Sequence, residues 1–203
     1  MVKQFLTTAT ILLALLYGLT LAAVFAETRL PFPAHITGIW LGRASIVIYF
    51  LTLVPGIARR MRFGVKEAMP LMLYRRSLGV LMFWLAFGHW LYLTLLPTLI
   101  FDLPIQLDAP RVAGLLSLMI LTQMWLTSND FSQRKLGKKW RYLHNGTHMV
   151  VGLLFLHVAL FARPIAILAA IFLSLDGLSW VVEWRRRLDL KNQQSQSPPQ
   201  PLA

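Results

Sequence analysis

The sequence predicts an all-α membrane protein: a bundle of six transmembrane helices. Three observations carry the prediction. Of 203 residues, 57% are hydrophobic and only 14% charged. The apolar residues gather in runs near the ~20 residues that a helix needs to cross a bilayer. Between the runs, Lys and Arg crowd alternate connections.

The expected spans are 5–26, 36–58, 73–97, 111–128, 143–162 and 164–183. The first follows only Lys3, and "VFA" at 24–26 stands before Glu27 like a small-residue cleavage site. The apolar stretch exceeds the core of a secretory signal, so it reads as an uncleaved helix. The last two spans are separated by "ARP" (162–164) and form a tight hairpin. Residues 191–203, "KNQQSQSPPQPLA", are too polar to build a core and read as a disordered tail. The chain therefore divides into a first helix with its connection (1–35), a membrane domain (36–185) and a tail (186–203).

Orientation follows from the basic residues. The connection 59–76 holds Arg59, Arg60, Arg62, Lys66, Arg75 and Arg76, whereas 98–110 holds only Asp102 and Asp108 as charges. Arg134, Lys135, Lys138, Lys139 and Arg141 fill the next connection, and Arg185, Arg186, Arg187 and Lys191 follow the last span. The positive-inside rule puts these groups and both termini in the cytoplasm of a bacterial inner membrane. The net charge of +12 is thereby explained by topology and contact with anionic lipid, not nucleic acid. Cysteine is absent, which excludes disulfides, thiolate metal sites, iron–sulfur clusters and thiol catalysis.

Histidines inside apolar spans point to a site, because an imidazole in hydrocarbon needs a partner. His89 lies fifteen residues beyond Tyr74, and His157 fifteen beyond Tyr142, so each sits roughly 22 Å from the basic end of its helix. Two imidazoles at one level on different helices are what a six-coordinate haem b requires as axial ligands. His144, at the mouth of the fifth span, stands either as an inner haem or flavin contact or as an interfacial histidine. It lies thirteen residues before His157, roughly 140° away around a straight helix. His148, one turn later, supports an inner site or hydrogen-bonds nearby. The positions that would oppose a second haem hold Arg75 and Arg76, so one outer haem is expected and the inner site stays open. Arg43, inside the second span, either meets a haem propionate or snorkels outward. His35 is expected at the outer surface.

The stretches "YRRSLGVLMFWLAFGHWLYL" (74–93), "SQRKLGKKWRYLHNGTHMVVGLLFLH" (132–157) and "GRASIVIYFLTLVPGIARR" (42–60) resemble the ferric-reductase-like transmembrane family. Within it they are similar to the MsrQ (YedZ) family of haem-binding subunits of periplasmic methionine sulfoxide reductase systems. The resemblance implies a b-type cytochrome with functional histidines at His89, His144 and His157. It implies electron delivery to a periplasmic MsrP-like molybdenum-cofactor reductase that repairs oxidised proteins. The donor it implies is a cytoplasmic flavin reductase, with FMN as a further cofactor; membrane quinol is the alternative. Arg75, Arg76, Lys138 and Lys139 are the candidate contacts for a flavin donor or FMN phosphate. On this reading the subunit transfers electrons and is not the substrate-reducing catalyst. Two other readings stay open: a stand-alone ferric or metal reductase, and a haem-free transporter or assembly protein.

Overall fold

The computed structural model describes residues 2–25, 34–161 and 163–196, and these are helical throughout apart from short connections. In order come α1 (Val2–Phe25), α2 (Ala34–Met61), α3 (Val65–Trp90), a π-helical turn (Leu91–Leu95) that runs into α4 (Leu96–Phe101), α5 (Ala109–Leu126), α6 (Asp130–Leu136), α7 (Lys138–His144), α8 (Thr147–Ala159) and α9 (Arg163–Gln196). Among the described residues five helical stretches are long and apolar enough to cross a membrane: Val2–Val24, Ala34–Met61, Val65–Phe101, Ala109–Leu126 and Pro164–Gln193.

Three boundaries depart from expectation. The basic connection 59–76 shrinks to a tight turn, because Arg62 and Gly64 both take left-handed φ angles (55° and 62°) and α3 starts at Val65. The stretch expected to span 143–162 is broken at Asn145-Gly146, so α8 has 13 residues, about 20 Å of rise. That is short of the ~30 Å hydrocarbon thickness. α9 continues to Gln196, since neither Gly nor Pro interrupts residues 178–197, so the first part of the expected disordered tail is helix. The Ala26–Glu27 junction, Ala162 between α8 and α9, and the tail from residue 197 lie outside the described residues.

The basic half of the bundle is densely filled. Tyr49, Phe50 and Leu53 of α2, Phe83 of α3, Leu121 of α5 and Val150 and Val151 of α8 form one buried cluster. Phe50 stacks on Phe172 of α9, and Phe83 on Trp125 of α5. α8 starts in this half, where Tyr49 Oη donates to the carbonyl of Thr147 (2.5 Å). α1 packs on α3 through Tyr17, whose hydroxyl donates to the Trp84 carbonyl (3.1 Å), and through Thr20, bonded to Tyr92 Oη (3.0 Å). Other large apolar side chains of α1, such as Leu12 and Leu19, face outward, whereas Leu6 packs against Leu78 and Leu81 of α3.

A buried polar network ties α2, α8 and α9 together. Arg60 Nη2 donates to Asp176 Oδ1 (2.5 Å) and its Nε to Ser179 Oγ (2.8 Å); His148 Nδ1 meets the other carboxylate oxygen (2.8 Å). Trp180 lies beneath the guanidinium at 4.7 Å and edge-on to His148 at 5.2 Å. Asp176 in a membrane helix is thus held only because both its oxygens are occupied.

The segment α6–α7 folds back on the end of α5. Arg76 binds the Asp130 carboxylate, holding that carboxyl below its ordinary pKa, and donates through Nε to the Ser128 carbonyl (2.8 Å). Trp140 Nε1 donates to the Thr127 carbonyl (2.9 Å), and the Trp140 ring stacks on His144 at 3.9 Å. His144 Nε2 contacts the Thr127 hydroxyl (3.1 Å). Burial, and then the Arg75 charge, push the His144 pKa from 6.5 down to about 4.

Two tests follow from this packing. Asp176→Ala strands the Arg60 charge and lowers stability by about 3–5 kcal/mol; the Arg60→Met/Asp176→Leu double variant recovers much of that loss, as thermal unfolding in mild detergent will read. Because the folded chain holds His144 neutral, its contribution is complete above pH 6.5 and is lost as pH falls towards about 4. His144→Gln therefore flattens the decline of the unfolding temperature across that window.

Candidate functional site

The end of the bundle opposite the basic clusters is open inside. A cavity of about 680 Å³ lies between α2, α3, α5 and α8, within the range of cofactor sites. His89 enters it from the last turn of α3, and His157 from near the end of α8. Just past His89 the helix widens into the π turn. Pro97 has no N–H for the Leu93 carbonyl, and the Leu96 N–H reaches back to Leu91 O instead. Tyr92 and Leu91 in that turn are almost wholly buried, so the segment that carries His89 is anchored on both sides.

The two imidazoles face each other with ring centroids 6.0 Å apart and planes at 83°. Each has its Nδ1 on a backbone carbonyl: His89 on Gly38 of α2 and His157 on Pro110 of α5, both at 2.9 Å. A carbonyl only accepts, so Nδ1 carries the proton in each ring. The neutral ring then presents an unprotonated Nε2, the form that binds a metal, and the carbonyl fixes its direction.

The donor set fits an iron porphyrin. Nitrogen–metal bonds of about 2 Å on either side of one ion, plus the depth of each ring, separate the ring centres by about 6 Å. Among the described residues no group of three or more His, Asp or Glu gathers to hold a bare metal ion. Two imidazoles across an apolar cavity suit an ion whose remaining ligands come from a macrocycle.

The structure therefore brings His89 and His157 together and leaves the other histidines elsewhere. His144 is engaged with Thr127 and Trp140, and His148 with Asp176. Arg43 is exposed at the cavity mouth, its guanidinium 5.0 Å over the Trp40 ring; His35 is exposed there too. Arg75, Lys138 and Lys139 are exposed, whereas Arg76 is committed to Asp130 and Ser128.

Several functional residues escaped the sequence reading. Arg111 also lines the cavity, bonded to Asp108 (2.5 Å) and 5.5 Å from the Phe161 ring. It is the lone basic residue between Arg76 and Arg134, on the side where the positive-inside rule expects few, and that was the available signal. Gly38 and Pro110 contribute only main-chain oxygens, which leave no mark in residue type.

A family model described as "Ferric reductase like transmembrane component" matches residues 7–155, which include His89 and stop two residues before His157. The chain is 30% identical over 155 residues to the protein-methionine-sulfoxide reductase heme-binding subunit MsrQ of Rhizobium meliloti, covering 74% of this chain and 67% of that protein. The MsrQ proteins of Brucella anthropi (30% over 121 residues) and Brucella ovis (31% over 124) match 58% of this chain, which spans about half of their length, 51% in each case. No solved structure matches. With a matching model over most of its length and these relatives, the chain belongs to the ferric reductase like transmembrane component family and is an MsrQ-like membrane protein.

Proposed function

We propose that this chain is a b-type cytochrome subunit that carries electrons across the bacterial inner membrane to a periplasmic methionine sulfoxide reductase. The observation that carries the reading is the facing pair His89 and His157, each with Nδ1 tied to a carbonyl and Nε2 left for iron. Haem b, when bound, supplies a carrier that takes and gives one electron. His89 and His157 are the residues that would hold it. Arg43 and Arg111, at the mouth, suit its propionates through charge-assisted bonds. The apolar walls, among them Ile46, Met82 and Leu154, exclude water and lower the dielectric around the site.

Six crossings, with both termini in the cytoplasm, fit this role. α8 is short, yet it runs from the Tyr49–Thr147 bond in the basic half to His157 at the cavity, which supports counting it as a crossing. The buried cluster around Phe50, Phe83 and Val151 occupies the basic half, which favours one haem at the periplasmic side. A cytoplasmic flavin reductase, or quinol, supplies the electrons. Arg75, Lys138 and Lys139 offer exposed charge to an acidic donor or to FMN phosphate. The acceptor is an MsrP-like molybdenum-cofactor reductase, in keeping with the relatives' names.

Protein purified in detergent is expected to show a low-spin haem b spectrum with sharp α and β bands on reduction. His89→Ala and His157→Ala each abolish six-coordination; an unchanged low-spin spectrum in both variants would refute the ligand assignment, and absence of haem from the parent would remove the cytochrome.

A further inference from the structure

The two imidazoles rest on the same local arrangement, built twice on different helices. On α2 the Gly38 carbonyl accepts from His89 Nδ1, and Gly42 follows one turn later. On α5 the Pro110 carbonyl accepts from His157 Nδ1, and Gly114 follows one turn later. Three residues after each glycine comes a buried serine that returns its hydroxyl to its own helix: Ser45 to Gly42 O (2.8 Å) and Ser117 to Ala113 O (2.9 Å). Both serines line the cavity. Segments 38–45 and 110–117 thus share a carbonyl at one position, glycine four later and serine seven later, although they have little else in common.

The spacing has a steric cause. In an α-helix the carbonyl of residue i also accepts the N–H of residue i+4, so an imidazole that shares this oxygen must lie over residue i+4. A side chain there would occupy the ring's place. A Cβ built on Gly114 falls 2.6 Å from His157 Nδ1 and 2.8 Å from Cε1, and one on Gly42 falls 2.8 Å from His89 Cε1. Real Cβ atoms do not approach so closely, and the imidazole stem is too short to swing aside and keep its hydrogen bond. On the helices that carry the histidines, a Cβ on Gly79 of α3 or Gly152 of α8 meets nothing within 4 Å, whereas one on Gly88 of α3 meets the Tyr17 ring and neither imidazole.

We infer that Gly42 and Gly114 are positioning residues that seat the two axial imidazoles and hold their planes nearly perpendicular. The inference rests on the haem-ligand reading above and adds the device that sets the ligand geometry. Each ring's orientation is dictated by the helix it leans on, and α2 and α5 present their carbonyls so that the planes meet at 83°. Perpendicular axial planes leave two iron d orbitals nearly equal in energy, and the oxidised low-spin state then gives a strongly anisotropic electron paramagnetic resonance signal with a large maximal g value. Parallel planes give an ordinary rhombic signal.

The test uses the full chain purified with its haem. The oxidised parent is expected to show the large-g signal. Gly42→Ala and Gly114→Ala are each expected to lose most of it, with appearance of a high-spin species whose open axial position takes added imidazole and returns to low spin. Gly79→Ala and Gly152→Ala keep the parent spectrum and serve as controls for glycine replacement in a membrane helix. A rhombic parent signal would overturn the inference, and so would parent-like spectra in both Gly42→Ala and Gly114→Ala. Should either variant not accumulate, the parent signal decides alone. A parent without haem sinks the cytochrome reading, whereas a low-spin parent indifferent to both glycines sinks only this one.

Discussion

The geometry of the site depends on one kind of interaction: an imidazole N–H donated to a helix carbonyl inside an apolar cavity. Neither His89 nor His157 finds an acidic partner at Nδ1, so each takes its hydrogen bond from main chain that is already engaged in a helix. That choice fixes the tautomer, leaves Nε2 without the proton and requires the donor and acceptor helices to lie close. α3 must therefore press against α2, and α8 against α5. The glycines under the rings, Gly42 and Gly114, are consequences of satisfying this contact without loss of backbone bonding.

The bundle is divided along its length by the size and polarity of its side chains. In the basic half large residues meet and exclude space, with Phe50, Phe83 and Val151 nearly or fully buried and Tyr49 lining the cavity. In the other half small residues, Gly42, Ser45, Gly114 and Ser117, line the walls and leave a cavity. Among the described residues the large internal space therefore lies towards one end of the bundle. The Arg60–Asp176–His148 network closes the packed half by locking α9 onto α2 and α8, and a charge buried in hydrocarbon is tolerated because each group completes another.

Depth was partly legible in the sequence because helical rise is regular: equal residue counts from Tyr74 to His89 and from Tyr142 to His157 point to one level for both rings, which lie 6.0 Å apart. The count was right for a reason it did not contain, since α8 starts only at Thr147 and the counted stretch includes a break at Asn145-Gly146. His148 was harder to read. Its neighbour His144 suggested an inner site, but the partner that claims it, Asp176, lies twenty-eight positions away on another helix. The basic connection 59–76 was also misjudged, because charge marks the side of the membrane and says little about whether the backbone there is coiled.

Composition and period by themselves determined that the chain is helical, lies in a membrane and carries two histidines at matched depth, because transfer energy and rise per residue act on each segment separately. Which face each histidine turns inward, which carbonyl orients it, and that Arg60 and His148 share one carboxylate were decided only by tertiary structure. Those relations join residues remote in the chain, and main-chain oxygens, which every residue possesses, cannot be told apart until helices are placed side by side.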